Sequence, residues 1–217
     1  ISYAAPFYLF AFGAVFVIFL ITKQKSPPLV KSKEDFKKIS LFDYRVWPFL
    51  VISASFGICN AALVQTSSFY FQDVIDPDST NYIALASIGF MLSALGILNG
   101  QLLIADRLQT SPGSLIRLGV IFIFFSLLGV ANSTSLVHIY ISLFFYGLGG
   151  GMLSPGVSSS LSISVGKENQ GSASGFLGMV IPVGHVISPI ISMPLYSVSP
   201  SYPYLLGSVL MFISFIF

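Results

Sequence analysis

Charge is scarce in this chain of 217 residues. Only 8% of them are Asp, Glu, Lys or Arg, against about 25% in ordinary soluble domains. From Leu118 to Phe217 the charged residues are Lys167 and Glu168 alone, side by side. With 54% hydrophobic residues there is too little polar surface to coat a soluble core, so a soluble single-core domain is excluded. Cysteine is nearly absent. Cys59 stands alone, which excludes an intramolecular disulfide and a cysteine-built metal centre, and no metal site is expected. No HExxH run occurs, and no carboxylate lies inside an apolar stretch. Zinc-dependent and aspartyl intramembrane proteolysis are thereby excluded. Ser174 and His185 are the one hint of a nucleophile and base, yet on one helix they stand about 16 Å apart. The chain does not read as an enzyme.

What the sequence does have is long apolar runs. Crossing a bilayer takes about 20 apolar residues per helix, and seven segments qualify, near 3–22, 46–72, 81–104, 115–132, 136–160, 171–197 and 202–217. They are apolar on all faces rather than alternating, which excludes a β-barrel. The fold class is an all-α polytopic membrane protein, a bundle of seven transmembrane helices. Every cation can be placed on one side. Lys23, Lys25, Lys31, Lys33, Lys37, Lys38 and Arg45 follow the first segment, Arg107 and Arg117 flank the connector after the third, and Lys167 follows the fifth. The alternate connectors carry Asp73, Asp76 and Asp78 but no Lys or Arg. Cationic loops stay cytoplasmic, so the loop at 23–45 is expected inside, in a multi-pass protein of a bacterial inner (plasma) membrane. The basic run serves topology, and the expected partners are the lipid bilayer and a small-molecule substrate, with no nucleic acid. Ile1 is no initiator Met, and the apolar segments at both ends run out without polar flanks. The chain is expected to be a piece of a longer protein.

Ser26-Pro27-Pro28 breaks the first helix, and Glu34 to Leu41 is expected to form a short amphipathic helix with Phe36, Ile39 and Leu41 dipping into lipid. One helix, a basic loop and six more helices is an uneven design for an independent unit. It suits the end of one six-helix half, 1–22, a central loop, 23–45, and a complete second half, 46–217. Several runs sharpen this reading. Asn99-Gly100, Asp106-Arg107, Gly113 and Arg117 form a loop motif, without a run of basic residues after its second glycine. Gly147-Leu148-Gly149-Gly150-Gly151 precedes Ser154-Pro155-Gly156. Gln170-Gly171-Ser172-Ala173-Ser174-Gly175 leads to Gly184 and Pro189. Ala62-Leu63-Val64-Gln65 leads to Phe69-Tyr70-Phe71-Gln72-Asp73. In this order and spacing they resemble the major facilitator superfamily, and within it the drug:proton antiporters of the tetracycline-efflux type. The resemblance implies helices six to twelve of a twelve-helix carrier, with the N-terminal six-helix half otherwise missing. It also implies proton-coupled efflux of small apolar or drug-like compounds by alternating access, with the proton gradient as energy source and no cofactor. The alternatives are a facilitative uniporter or metabolite transporter of the same superfamily, and a non-transporting sensor or scaffold relative.

Candidate residues follow from rarity. His185 is the one ionisable group well inside an apolar segment, between Pro182 and Pro189. Such groups are costly in lipid and face a bundle interior or a wet cavity. It either binds a proton or substrate, or is a neutral imidazole on a carbonyl freed by a proline. In the second segment Asn60 and Gln65 lie 140° apart at 100° per residue, so they serve different faces. Gln65 with Phe69 is favoured for the cavity, on the resemblance, with Tyr146 and Gln101 as further candidates for the substrate pathway. Gly89, Ser93, Gly96 and Gly100 make a small-residue stripe suited to close helix packing. Gly149 and Gly150 are expected to soften their helix for gating, and Pro182 and Pro189 to do the same for theirs. The resemblance gives Asp106 and Arg107 a gating role.

Overall fold

The computed structural model describes residues 5–23, 39–77, 80–105 and 110–216. It divides into two compact units, Ile1–Asp35 and Phe36–Phe217. The first holds α1 (Ala5–Thr22). Its last turn is finished by the Thr22 hydroxyl donating to Phe19 O at 2.9 Å. Lys23 Nζ lies 4.5 Å from the Phe19 ring centre, a cation over an aromatic face with its stem laid along the apolar helix.

The second unit is built from α2 (Trp47–Tyr70), α3 (Tyr82–Asn99), α4 (Pro112–Ala131), α5 (Leu136–Val165), α6 (Gln170–Val198) and α7 (Tyr202–Ile216). Wider π turns continue α2 over Phe71–Ile75 and α3 over Gly100–Ala105. Among the described residues there is no strand. Each of the seven expected segments holds a helix, and among the described residues five helices are long and apolar enough to cross a membrane. The described apolar stretches Phe10–Thr22 and Tyr202–Ile216 are shorter. At 1.5 Å per residue, the 30 residues of α5 reach about 45 Å, more than the hydrocarbon thickness of about 30 Å. Serines set two starts: Ser111 Oγ accepts from Ser114 N, with Pro112 opening α4, and Ser135 Oγ accepts from His138 N. Gly166, at φ 72°, ends α5 in the left-handed region that disfavours a side chain.

Helix α5 is the hub, packing chiefly on α3 and α4, while α2 packs on α6 and α7 bridges α4 to α2. In lipid no water is released when apolar helices meet, so close van der Waals fit decides the partners. The buried residues of α3 are Ala86, Gly89, Ser93 and Gly96, the small-residue stripe, and it lies on α5. A Cβ on Gly96 would fall onto Phe144 O, and one on Gly147 onto Ser93 O. The same device joins α2 to α6, where a Cβ on Gly184 would come within 2.8 Å of the Gly57 carbonyl carbon, and Ser188 Oγ donates to Ile58 O at 3.1 Å.

Polar bonds close both ends. At the end bearing Asp73, the Tyr196 hydroxyl donates to Asp73 Oδ2 at 2.8 Å, and the Tyr70 hydroxyl donates to Ser133 O at 3.2 Å. At the basic end, Arg45 pairs with Asp43 through Nε at 3.1 Å and a terminal nitrogen at 2.9 Å. That hydrogen bond raises the guanidinium pKa further above its ordinary value. The expected amphipathic helix falls mostly on 34–38, outside the described residues. Its described end is irregular and leads into turns, and Ile39 is buried against Val46, Leu50, Leu161 and Val165 instead of meeting lipid. Asp43 Oδ1 accepts the Arg45 N–H at 3.0 Å within the turns that lead into α2.

Candidate functional site

Where α2, α3 and α5 converge they line a partly open cavity of about 300 Å³. Asn60 enters from α2, Gln101 from the π turn that ends α3, and Tyr146 from α5, joined by Ser93 and Ser154. Phe56 and Phe90 form aromatic walls. The spacing explains the convergence, since residues four apart share a helix face. Phe56 and Asn60 line it on α2, Ser93, Ile97 and Gln101 on α3, and Tyr146, Gly150 and Ser154 on α5. Gly150 keeps this wall close: a Cβ there would sit 3.2 Å from the Phe56 ring, which would have to give by a few tenths of an ångström. Phe56 lies on that bare backbone and stacks on Tyr146, with ring centres 6.2 Å apart and planes 23° from parallel.

Tyr146 is 4% exposed, and its hydroxyl has no hydrogen-bond partner. Leaving such a group buried and unpaired costs about 1–3 kcal/mol. A bound molecule with one donor or acceptor would recover part of that cost. Among the described residues no Asp, Glu, Lys, Arg or His lines the cavity. The chemistry on offer is neutral: two amides, hydroxyls and aromatic faces.

The remaining candidates lie elsewhere. His185 is on an exposed face of α6, its Nδ1 3.0 Å from Ile181 O. The expectation of a proline-freed acceptor needs correction. A proline vacates the carbonyl four residues before it, so Pro182 frees Gly178 and Pro189 frees His185 itself, not Ile181. Gln65 and Phe69 are not on the cavity wall. Phe69 meets Tyr196 of α6, with ring centres 6.2 Å apart, and Gln65 Oε1 is buried without a partner. The contacts Gly57–Gly184 and Phe69–Tyr196 share one offset, and that offset sets Gln65 level with Ser192, whose hydroxyl is likewise unpartnered. Of the two faces weighed on α2, the cavity therefore takes Asn60.

Gly149 is a close-approach point: a Cβ there would stand 2.8 Å from Gly119 O of α4, and one on Gly119 would stand 2.8 Å from Gly149 O. With Gly147 and Gly151 against α3 and Gly150 against α2, the glycine run admits three neighbours to one helix. Its helix is continuous from Leu136 to Val165, and α6 runs unbroken through Pro182 and Pro189. Asp106 and Arg107 lie outside the described residues. Phe56, Phe90, Ser93 and Ser154 were not named as site residues from the sequence. Steps of four or eight residues from Asn60, Tyr146 and Gln101 reach Phe56, Ser154 and Ser93, and that periodicity was the available signal.

Residues 1–189 match the Major Facilitator Superfamily. No curated protein matches the chain.

Proposed function

Because this chain belongs to the Major Facilitator Superfamily, whose members are membrane transporters, we propose that it forms the second half of a carrier working by alternating access. In this reading α1 is the last helix of the preceding half and the loop at 23–45 is the central cytoplasmic connection. The substrate is a small, uncharged, partly apolar compound. The observation behind that choice is the cavity of Asn60, Gln101 and Tyr146, with a buried unpartnered hydroxyl and, among the described residues, no charged side chain on its wall. Its volume lies at the low end of the range for drug-sized ligands, roughly 300–1,000 Å³. Proton-coupled efflux of the tetracycline type remains the preferred energetics, and His185 is the titratable group that this chain offers within an apolar helix. The test is transport of neutral and cationic lipophilic dyes by the full-length protein in proteoliposomes, with and without an imposed pH gradient. Gradient-driven movement of neutral dyes, reduced in Tyr146→Phe, supports the proposal. Selective movement of cations contradicts it.

One observation favours a second reading. His185 does not line the cavity, and among the described residues no carboxylate does. A facilitative carrier needs neither, and it would equilibrate the same dyes without responding to the gradient.

A further inference from the structure

A cavity of about 650 Å³ lies at the basic end, apart from the proposed substrate site. It opens among the first turns of α2 and α4 and the last turns of α5 and α7. Arg45 and Arg117 both line it, with Tyr44 and Ser164, the Ser164 hydroxyl donating to Ser160 O at 2.8 Å. Arg45 is turned partly toward Asp43, at 2.9 Å. Arg117 is exposed. The start of α4 borders the space at Gly113, which adds the positive end of a helix dipole. The deeper wall is different in kind: Phe49, Ile52, Ile116 and Val120 are apolar. Cations at the mouth above an apolar floor, at the ends of membrane-crossing helices, match a molecule with an anionic head and a hydrocarbon tail.

We propose that this cavity binds an anionic phospholipid, its phosphate between Arg45 and Arg117 and its acyl chain against Phe49 and Ile116. A free phosphate satisfies the arginines but leaves the apolar floor uncovered, which favours the lipid. The site draws together α2, α4, α5 and α7, so an occupied site clamps the basic end of the bundle. It does not depend on which substrate is carried.

The experiment is native mass spectrometry of the full-length protein, taken from detergent supplemented with phosphatidylglycerol or phosphatidylcholine. Wild type is expected to retain phosphatidylglycerol in preference. Arg117→Gln and Arg45→Gln should each weaken retention about fivefold, the effect of roughly one membrane-proximal cation. Arg117→Lys should hold most of it. Asp43→Asn, which releases Arg45, should strengthen it. Size-exclusion profiles of the variants report that they are folded. Equal retention of the two lipids overturns the proposal, as does unchanged retention in the Arg45→Gln/Arg117→Gln double variant. If millimolar glycerol phosphate displaces the lipid completely, the occupant is a soluble phosphate and the lipid assignment is wrong.

Discussion

Tyr146 shows how one atom separates a binding role from a packing role. Its ring is fixed by Phe56 while its hydroxyl is buried without a partner. Tyr146→Phe removes only that hydroxyl. Stability is expected to hold or rise by about 1 kcal/mol, since an unsatisfied group is lost, and thermal denaturation measures this. Transport should weaken about fivefold in KM for a substrate that bonds the hydroxyl, the worth of one neutral hydrogen bond. At His185 the readout is different. His185→Ala is expected to abolish the response of transport to an imposed pH gradient, and an unchanged response would remove this residue from coupling. Part of the cavity's lining was legible in the sequence. Asn60, Gln101 and Tyr146 stood out as polar groups in apolar helices, and the structure gathers them. Sequence spacing showed that Asn60 and Gln65 oppose one another but not which neighbour each faces. That depends on the α2–α6 register, which is set by Gly57 and Gly184.

At the scale of the element, small residues decide which helices touch. Gly147→Ala would drive a methyl into the Ser93 carbonyl, so α3 and α5 must part. A loss of about 1–3 kcal/mol is expected, the usual range for overpacking, read as a lower denaturation midpoint. Gly175 is the control within the same unit, because a Cβ there meets nothing within 4 Å. Gly175→Ala should be neutral or stabilising by up to about 1 kcal/mol, from helix propensity alone. The helices themselves were legible, since apolar runs and Pro, Ser and Gly punctuation place α2 to α7 within a few residues of where they lie. The π turns were not. Nothing in Phe71–Ile75 or Gly100–Ala105 marks a wider turn, because it follows from how the helix end must be rotated against its neighbours.

For the whole molecule, α6 carries the consequence. Its buried positions are Ala173, Gly184, Ser188 and Ser192, and its other faces, including Gly171, Gly175 and Gly178, are uncovered by the described residues of its own unit. If those faces meet a preceding six-helix half, larger residues there will harm only the full-length carrier. Gly178→Leu is expected to leave this chain's own stability unchanged while impairing assembly of the whole, measured by size-exclusion chromatography of each. The most direct test of alternating access places one cysteine in the cavity, Asn60→Cys in a full-length protein otherwise free of cysteine. Membrane-impermeant maleimides are then applied from each side of sealed vesicles. Labelling from both sides, with a substrate dye slowing each, is the expected result. Labelling from one side only, indifferent to the dye, would contradict a carrier that opens this cavity alternately to the two faces of the membrane.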